Sequence, residues 1–179
     1  MTEKSRLLNK DEMALVIQNI ACEITKKESP VDNIAIIGIR TRGAVLADRL
    51  QRHICRISGM SIPLGALDIT LYRDDLSHIA ASQPALHNTE IGFDIEGKVV
   101  ILVDDVLYTG RTIRCALSEL VDFGRPAAIR LAVLVDRGHR ELPIRPDYVG
   151  RDIRISSQEE IVVRMQETDG KDEVAILVS

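Results

Sequence analysis

Two adjacent carboxylates, Asp104 and Asp105, stand directly after the apolar run VVILV (99–103) of this 179-residue chain. The run has the length and the β-branched side chains of a buried strand. Ionised carboxylates only accept hydrogen bonds, so an adjacent pair at a strand end can hold the neighbouring hydroxyl groups of a sugar. The pair is therefore a candidate sugar-binding element.

The four residues Thr109, Gly110, Arg111 and Thr112 follow at the predicted start of a helix. The N–H groups and the positive dipole end of a helix attract a phosphate. Gly110 lets the backbone approach a ligand closely, and threonine hydroxyls add donors. Because ligands of open α/β sheets bind at the carboxyl ends of the strands, the carboxylates and this turn together predict a ribose 5-phosphate site. The plainer alternative is a solvated strand end followed by an ordinary helix cap.

The segment from residue 99 to residue 112 resembles the phosphoribosyl-diphosphate (PRPP) fingerprint of type I phosphoribosyltransferases. The resemblance implies that the two carboxylates hold the ribose hydroxyls and that the following turn binds the 5-phosphate. It also identifies residues 41–43, after the predicted strand 34–39, as the diphosphate loop, where an arginine can donate two parallel hydrogen bonds. The PRPP-binding residues that it implies are Thr41, Arg42, Gly43, Asp104, Asp105, Val106, Leu107, Tyr108, Thr109, Gly110, Arg111 and Thr112.

Three stretches narrow the resemblance: DITLYRDDL (68–76), LVDDVLYTGRT (102–112) and LVDRGHRELPIRPDYVG (134–150). Together they are similar to the family of bifunctional pyrimidine-operon regulators that are also uracil phosphoribosyltransferases. The similarity implies that uracil and PRPP give UMP and diphosphate, with Mg²⁺ carried by the diphosphate and no metal site of the protein's own. It further implies homo-oligomers that bind the leader mRNA of pyrimidine genes when UMP or UTP is present, which terminates transcription (attenuation).

The same resemblance assigns a lid. Tyr72 and Arg73 would contact PRPP from a flexible hairpin at about 68–98. A lid excludes water, and Arg73 together with Arg42 would neutralise the leaving diphosphate. The catalytic residues that the resemblance implies are Asp104, Asp105, Arg42 and Arg73.

The base pocket is assigned to the loop after the strand predicted at 127–135. Arg137, Gly138 and His139 would line it, with Arg137 against the carbonyl groups of the pyrimidine. Tyr108 stands where purine-specific relatives carry an acidic residue that is their proposed base. No general base is therefore assigned, and a pyrimidine substrate is favoured.

Apolar spacing predicts the elements that must position these residues. Asn9 and Glu12 form a predicted capping box at the start of the first helix. Helices are expected at 9–27, 44–54 and 111–123, strands at 34–39, 61–72, 99–103 and 127–135, a loop at 41–43, and short strands in 149–179 around a turn at Asp169-Gly170. Alternating strands and helices indicate an α/β fold with a doubly wound, mostly parallel sheet. We expect one domain, 1–179, with a small β-rich C-terminal cap at about 149–179.

Charge and composition exclude several classes of protein. A net charge of −4 argues against a wholly basic nucleic-acid binder, and 3% aromatic residues without Trp argue against a base-stacking platform. Arginines are nevertheless concentrated in 40–56 and 137–154, five in each, which favours a local basic face for RNA. Three cysteines without zinc or redox spacing, no apolar leader and no membrane-length apolar run predict a cytoplasmic protein that does not enter membranes.

Two other functions stay open at this point. An RNA-binding regulator could use the PRPP site only as a nucleotide sensor, or the base could be another one, such as hypoxanthine or guanine. The intact Asp104-Asp105 pair and Arg42 favour catalysis, and Tyr108 disfavours a purine. Arg40 stands where many relatives are expected to carry His, and its effect on either activity is not assigned.

Overall fold

The computed structural model describes residues 2–69 and 89–178. The strands in these ranges are β1 (Thr2–Leu8), β2 (Ile34–Ile39), β3 (Leu64–Leu67), β4 (Val99–Leu107), β5 (Ala128–Asp136), β6 (Tyr148–Asp152), β7 (Glu159–Arg164) and β8 (Glu173–Val178). The α-helices are α1 (Lys10–Lys27), α2 (Arg42–Ser58), α3 (Arg111–Leu120) and α4 (Gln166–Asp169). Single 3₁₀ turns, Val31–Asn33 and Val121–Phe123, precede β2 and follow α3. No helix in these two ranges combines the length and apolar character needed to span a bilayer.

The main sheet has the strand order β3-β2-β4-β5-β6, and every neighbouring pair is parallel. Alternate side chains of its central strand enter two different cores. Ile101 and Val103 pack with α1 and α2, whereas Val100 and Leu102 pack with α3 on the opposite face. Helices therefore cover both faces of a parallel sheet, and the predicted doubly wound α/β fold is confirmed.

A second sheet, with the order β1-β8-β7, is antiparallel. The predicted β-rich cap at 149–179 is confirmed for β7 and β8, but its strands differ from the prediction in two ways. β6 belongs to the main sheet, where Tyr148 is buried and pairs with Ala132. β1 belongs to the small sheet, but its side chains are exposed up to Arg6, so it carries no apolar alternation that sequence reasoning could detect.

The helix starts show which local signals were sufficient. In α1, the Asn9 side chain accepts hydrogen bonds from the N–H groups of Asp11 and Glu12, and the Glu12 carboxylate accepts from the Asn9 N–H, so the predicted capping box is confirmed. The helix predicted at 44–54 begins earlier and ends later, at Arg42 and Ser58. Residues 42 and 43 are therefore the first turn of a helix and not a separate loop.

Three strand and turn boundaries also differ from the prediction. β4 continues through Leu107, so Asp104 and Asp105 lie inside the strand, and Asp104, Val106 and Leu107 still pair with β5. The strand expected at 61–72 spans Leu64–Leu67 within the described residues. The turn expected at Asp169-Gly170 is preceded by the short helix α4, and Gly170 ends that helix in the left-handed conformation (φ 75°).

The predicted lid lies mostly outside the described residues, and so do both of its assigned contacts, Tyr72 and Arg73. The two flanking ends are tied together. The Asp68 N–H donates to Thr89 Oγ1 (3.0 Å), and the Thr89 hydroxyl donates to the Glu119 carboxylate on α3 (2.5 Å). The chain therefore leaves and re-enters the described structure at one place beside α3.

Candidate functional site

The carboxyl ends of β2 and β4 meet at one edge of the main sheet. The two strands are parallel neighbours, with Gly38 paired to Val103. After β2 the chain continues to β3 on one side, while β4 lies on the other, so the strand order reverses here. This reversal opens the crevice in which α/β sheets bind ligands. The residues after β2 and the carboxylate pair of β4 border it together.

Gly43 sets how closely the first turn of α2 packs on β4. A Cβ atom at this position would lie 2.6 Å from the carbonyl oxygen of Val103 and 3.1 Å from the Cα of Asp104. Real Cβ atoms do not approach backbone atoms so closely. The missing side chain therefore brings Arg42, at the start of α2, to the carboxylates of β4.

Both carboxylates are shielded from solvent, Asp104 fully and Asp105 partly. Asp104 is buried, and its Oδ1 accepts the N–H of Asp105 at 3.0 Å. Burial raises the pKa of the Asp105 carboxyl, against the opposing effects of its hydrogen bonds to Asp104 and Val106 and of the positive charge of Arg42. Paired, partly desolvated carboxylates are a common feature of functional sites.

The predicted phosphate turn lies at the N-terminus of α3. Gly110 is left-handed (φ 94°) and caps the helix, and the Arg111 N–H donates to Thr109 Oγ1 (3.3 Å). A cavity of about 410 Å³ opens here. It is lined by Asp104, Val106, Leu107, Tyr108, Thr109, Gly110, Arg111, Thr112, Ile113 and Cys115. Helix N–H groups and hydroxyls thus converge on one cavity whose wall includes a buried carboxylate.

A second cavity, of about 400 Å³, lies next to the first. It is lined by Ile39, Arg40, Thr41, Arg42, Ile69, Asp104, Asp105, Val106 and Thr112. Three of these residues, Asp104, Val106 and Thr112, also line the first cavity. The two cavities therefore meet at Asp104, one reaching the helix N-terminus and the other reaching Asp105 and the segment after β2.

The arginines that follow β2 already have partners. Arg42 donates from Nη2 and Nε to the two carboxylate oxygens of Asp169, at 2.8 and 3.3 Å. This pair raises the pKa of Arg42 and holds the pKa of Asp169 well below its usual range. Arg40 is paired with Glu90 (2.9 Å), while its buried Nε has no hydrogen-bond partner among the described residues.

The predicted base loop follows β5. Arg137 is 7% exposed; its Nη2 donates to the carbonyl oxygen of Glu159 (2.7 Å), and its guanidinium lies 3.8 Å from the ring centroid of Tyr108. The Nε of Arg137 is buried and has no hydrogen-bond partner within the described part of the chain. Tyr108 lines the first cavity, so it connects the base loop to the phosphate turn.

The next two residues of the predicted base loop are Gly138 and His139. Gly138 donates its N–H to the Asp136 carboxylate (2.8 Å). Its φ of 78° lies in the left-handed region, which glycine adopts readily because it has no Cβ atom. His139 has a φ of 53°, and its Nε2 lies 2.8 Å from the carbonyl oxygen of Ile155. Their contacts are therefore to the chain between β6 and β7 and to β5.

Sequence reasoning missed Arg140 as a part of the site. Its Nη1 donates to the carbonyl oxygen of Tyr108 (2.7 Å), its Nε to that of Ile144 (3.0 Å), and its Nη2 is paired with Asp136 (2.6 Å). It therefore ties the base loop to the chain just before the phosphate turn. Its position three residues after Arg137 was the only local signal.

The two arginine-rich segments are largely neutralised by internal ion pairs. Arg49 is paired with Glu167 and Asp172, and Arg52 with Asp48. Exposed arginines whose side chains have no ion pair or hydrogen bond in the described structure remain at Arg56 in the first segment and at Arg145 and Arg151 in the second. The basic surface is smaller than the counts of charges suggested.

A doubly wound parallel sheet with a carboxylate pair late in its central strand and a glycine-capped turn at the next helix is the arrangement expected of a phosphoribosyltransferase. The family model described as "Phosphoribosyl transferase domain" matches residues 3–168. A solved hypoxanthine phosphoribosyltransferase from Staphylococcus aureus has the same fold, with a TM-score of 0.72 over 99% of this chain and 93% of that one, at 18% identity. The chain belongs to the phosphoribosyltransferase family.

The curated relatives are more specific. A protein named "Bifunctional protein PyrR" from Pelotomaculum thermopropionicum is 53% identical over 98% of this chain and 96% of its own length. Proteins of the same name from Deinococcus radiodurans and Chloroflexus aurantiacus are 52% and 49% identical over 97% and 99% of this chain, and over 94% and 97% of their own lengths. Within the phosphoribosyltransferases, the chain is therefore a member of the bifunctional PyrR family.

Proposed function

We propose that this protein transfers the phosphoribosyl group of PRPP to uracil, giving UMP and diphosphate, and that it binds pyrimidine-operon leader mRNA when a uridine nucleotide is bound. The observation that carries the enzymatic half is the position of Asp104 where two cavities meet, with Asp105 beside it in the second cavity. One cavity ends at a helix N-terminus that suits a phosphate, and the other contains Arg42, which suits a diphosphate.

PRPP fits this arrangement in one direction. The 5-phosphate would lie against Thr109 to Thr112, and the ribose hydroxyls would donate to the two carboxylates. The diphosphate would extend past Thr41 towards Arg42. The two cavities, of about 410 and 400 Å³, are large enough together for a substrate of this size.

Catalysis would be positioning and electrostatic stabilisation. The bond from ribose C1 to the diphosphate oxygen breaks, uracil N1 bonds to C1, and the N1 proton passes to water or to the departing diphosphate. Positive charge develops on the ribose ring because the bond to diphosphate breaks ahead of the formation of the bond to uracil. The carboxylates of β4 would orient this ring, and Arg42 would stabilise the charge of the leaving diphosphate.

Mg²⁺ fits the donor set of this site. The oxygen atoms of Asp104 and Asp105, together with those of a bound diphosphate, are the hard ligands that Mg²⁺ prefers. When bound through the diphosphate, the ion would neutralise part of its charge. The residues of this chain would orient the sugar and the leaving group around it.

A pyrimidine is the proposed base. Tyr108 lines the cavity and offers no carboxylate to a purine, and Arg137, stacked on Tyr108, has a buried Nε that could donate to a base carbonyl. The test is a panel of uracil, hypoxanthine and guanine with PRPP and Mg²⁺, in which turnover with uracil alone is expected. Turnover with a purine would show that the substrate is not uracil alone and would contradict the pyrimidine assignment. Turnover with none of the bases would favour a nucleotide sensor.

The proposed RNA surface includes Arg145 and Arg151, the exposed and unpaired arginines beside the base loop and on β6. Replacing both arginines by Gln should weaken binding of the leader transcript. The slope of log affinity against log salt concentration should also become shallower, by about one unit for each RNA phosphate that an arginine no longer neutralises. Arg52→Gln, at an exposed arginine already paired with Asp48, is the matched control.

Titration with and without UMP at two salt concentrations completes this test. Binding that UMP strengthens and salt weakens supports the regulatory role, and binding indifferent to both contradicts it. A cytoplasmic location belongs to the same proposal, because PRPP and a nascent transcript would meet in that compartment, and a homo-oligomeric state is proposed from the family resemblance alone.

A further inference from the structure

Arginines on one face of α2 form ion pairs with carboxylates in the segment between β7 and β8 of the small sheet. Arg42 and Arg49 are seven residues apart, which is close to two turns, so their side chains lie on the same face of α2. Arg49 donates to Glu167 (3.0 Å) and to Asp172 (2.7 Å). Arg42 donates to both oxygens of Asp169. The region around α4 is therefore held at two points, and one of them is the arginine of the proposed diphosphate loop.

Asp169 is itself well anchored. Its Oδ2 accepts hydrogen bonds from the N–H of Met165 (2.9 Å) and from the hydroxyl of Thr168 (2.7 Å), and Met165 is fully buried. The side chain of Asp169 is 20% exposed, compared with 40% for Arg42. The carboxylate is therefore a fixed partner, and the orientation of the guanidinium follows from it.

The ion pair uses Nε and Nη2 of Arg42, and the Arg42 side chain makes no other hydrogen bond in the described structure. Its Nη1 group remains available, and Arg42 lines the cavity that also contains Asp104 and Asp105. We propose that Asp169 is a positioning residue for the transferase reaction: it fixes one edge of the Arg42 guanidinium so that the other edge binds the diphosphate. This inference rests on the proposed function.

Two physical effects of Asp169 have opposite signs. Its negative charge lowers the attraction of Arg42 for an anion, so charge alone predicts that removing it strengthens diphosphate binding. Its hydrogen bonds pre-organise a long side chain that would otherwise lose rotamer freedom when it binds. Positioning predicts that removing it weakens binding. The direction of the change therefore distinguishes the two effects.

The experiment is calorimetric titration of the full-length protein with diphosphate and Mg²⁺, with Asp169→Asn compared with Glu167→Gln. The control removes a carboxylate charge from the same short helix, but at the Arg49 ion pair. We expect about tenfold weaker diphosphate binding for Asp169→Asn, the effect of removing one pre-set charge-assisted hydrogen bond, and less than about twofold for Glu167→Gln. The KM for PRPP should rise in parallel, with the KM for uracil unchanged.

Unchanged or tighter diphosphate binding by Asp169→Asn, or equal losses of affinity in the two variants, would overturn the positioning role. Wild-type protein that binds no diphosphate would instead contradict the proposed function itself. In an Arg42→Ala background, Asp169→Asn should have no further effect on affinity, because Asp169 acts through Arg42. Should Asp169→Asn not fold, Asp169→Glu keeps the charge but moves it by one methylene group, and unchanged affinity in that variant would also overturn the proposal.

Discussion

The guanidinium of Arg137 lies 3.8 Å from the ring centroid of Tyr108, which joins the base loop to the chain that leads into the phosphate turn. A cation over the face of an aromatic ring is attracted by the ring, and the contact is stronger where water is excluded. Arg137 is also held by the carbonyl oxygen of Glu159. The structure therefore fixes two parts of the proposed nucleotide site relative to each other through one side chain.

Arg137→Ala should weaken uracil and UMP binding more than PRPP binding. The variant removes a buried charged donor whose Nε has no partner among the described residues, and such a hydrogen bond to a ligand contributes about 2 kcal/mol. The measurement is the KM for uracil and for PRPP, with the affinity for UMP by titration. Thermal denaturation checks that the fold persists. Equal losses for both substrates would refute the role in the base pocket.

The combined substitution Asp104→Asn and Asp105→Asn should reduce turnover by a factor of at least about 100, because each amide places an NH₂ donor where a carboxylate oxygen would accept from a ribose hydroxyl, so the ring is no longer held in position. The fold should persist, since the amides are isosteric with the carboxylates. Asp32→Asn is a matched control that should leave turnover unchanged, because Asp32 lies in the turn before β2, at the other end of the sheet from the candidate site. Turnover of the double variant at the wild-type rate would exclude the ribose role.

The difference in stability between the wild type and Asp105→Asn should depend on pH. The wild type should be less stable than the variant at neutral pH and should lose this disadvantage at acidic pH. Burial raises the pKa of Asp105 in the folded state above the unfolded value. Its ionised form therefore costs stability above the folded pKa, and the cost disappears as the pH falls below the unfolded value of about 3.9. Asp105→Asn should have the higher Tm at pH 7, and the difference should shrink on acidification.

Thermal denaturation of the two proteins across this pH range measures the effect. A Tm difference that is constant with pH, or a lower Tm for Asp105→Asn at pH 7, would contradict the assigned cause. The same raised pKa predicts that PRPP binding weakens on the acidic side at a higher pH than for an ordinary aspartate, because protonation removes an acceptor and a charge.

Local signals in the sequence were sufficient to predict much of the fold and to propose which residues form the candidate site. The capping box depends on Asn9 and Glu12, three residues apart, and the carboxylates are only a few residues from the phosphate turn, so both patterns are visible in one short window. The alternation of strands and helices was enough to predict the doubly wound sheet.

Contacts between distant segments could not be predicted in this way. Arg42 and Asp169 are separated by 127 residues, and no local sequence pattern around either residue predicts their ion pair. β1 pairs with β8, although its exposed side chains give no apolar pattern. The stacking of Arg137 on Tyr108 likewise depends on how β4 and β5 are placed side by side.

Gly43→Ala should damage the site more than the fold. The new methyl carbon would lie 2.6 Å from the carbonyl oxygen of Val103, so the first turn of α2 must move away from β4 and take Arg42 with it. We expect a loss of about 1–3 kcal/mol in the free energy of unfolding and a larger loss of PRPP affinity. Gly92→Ala is the matched control, because a Cβ there would meet no atom within 4 Å. Denaturant unfolding and PRPP titration measure the two quantities, and equal behaviour of both variants would show that the close approach of α2 to β4 is unnecessary.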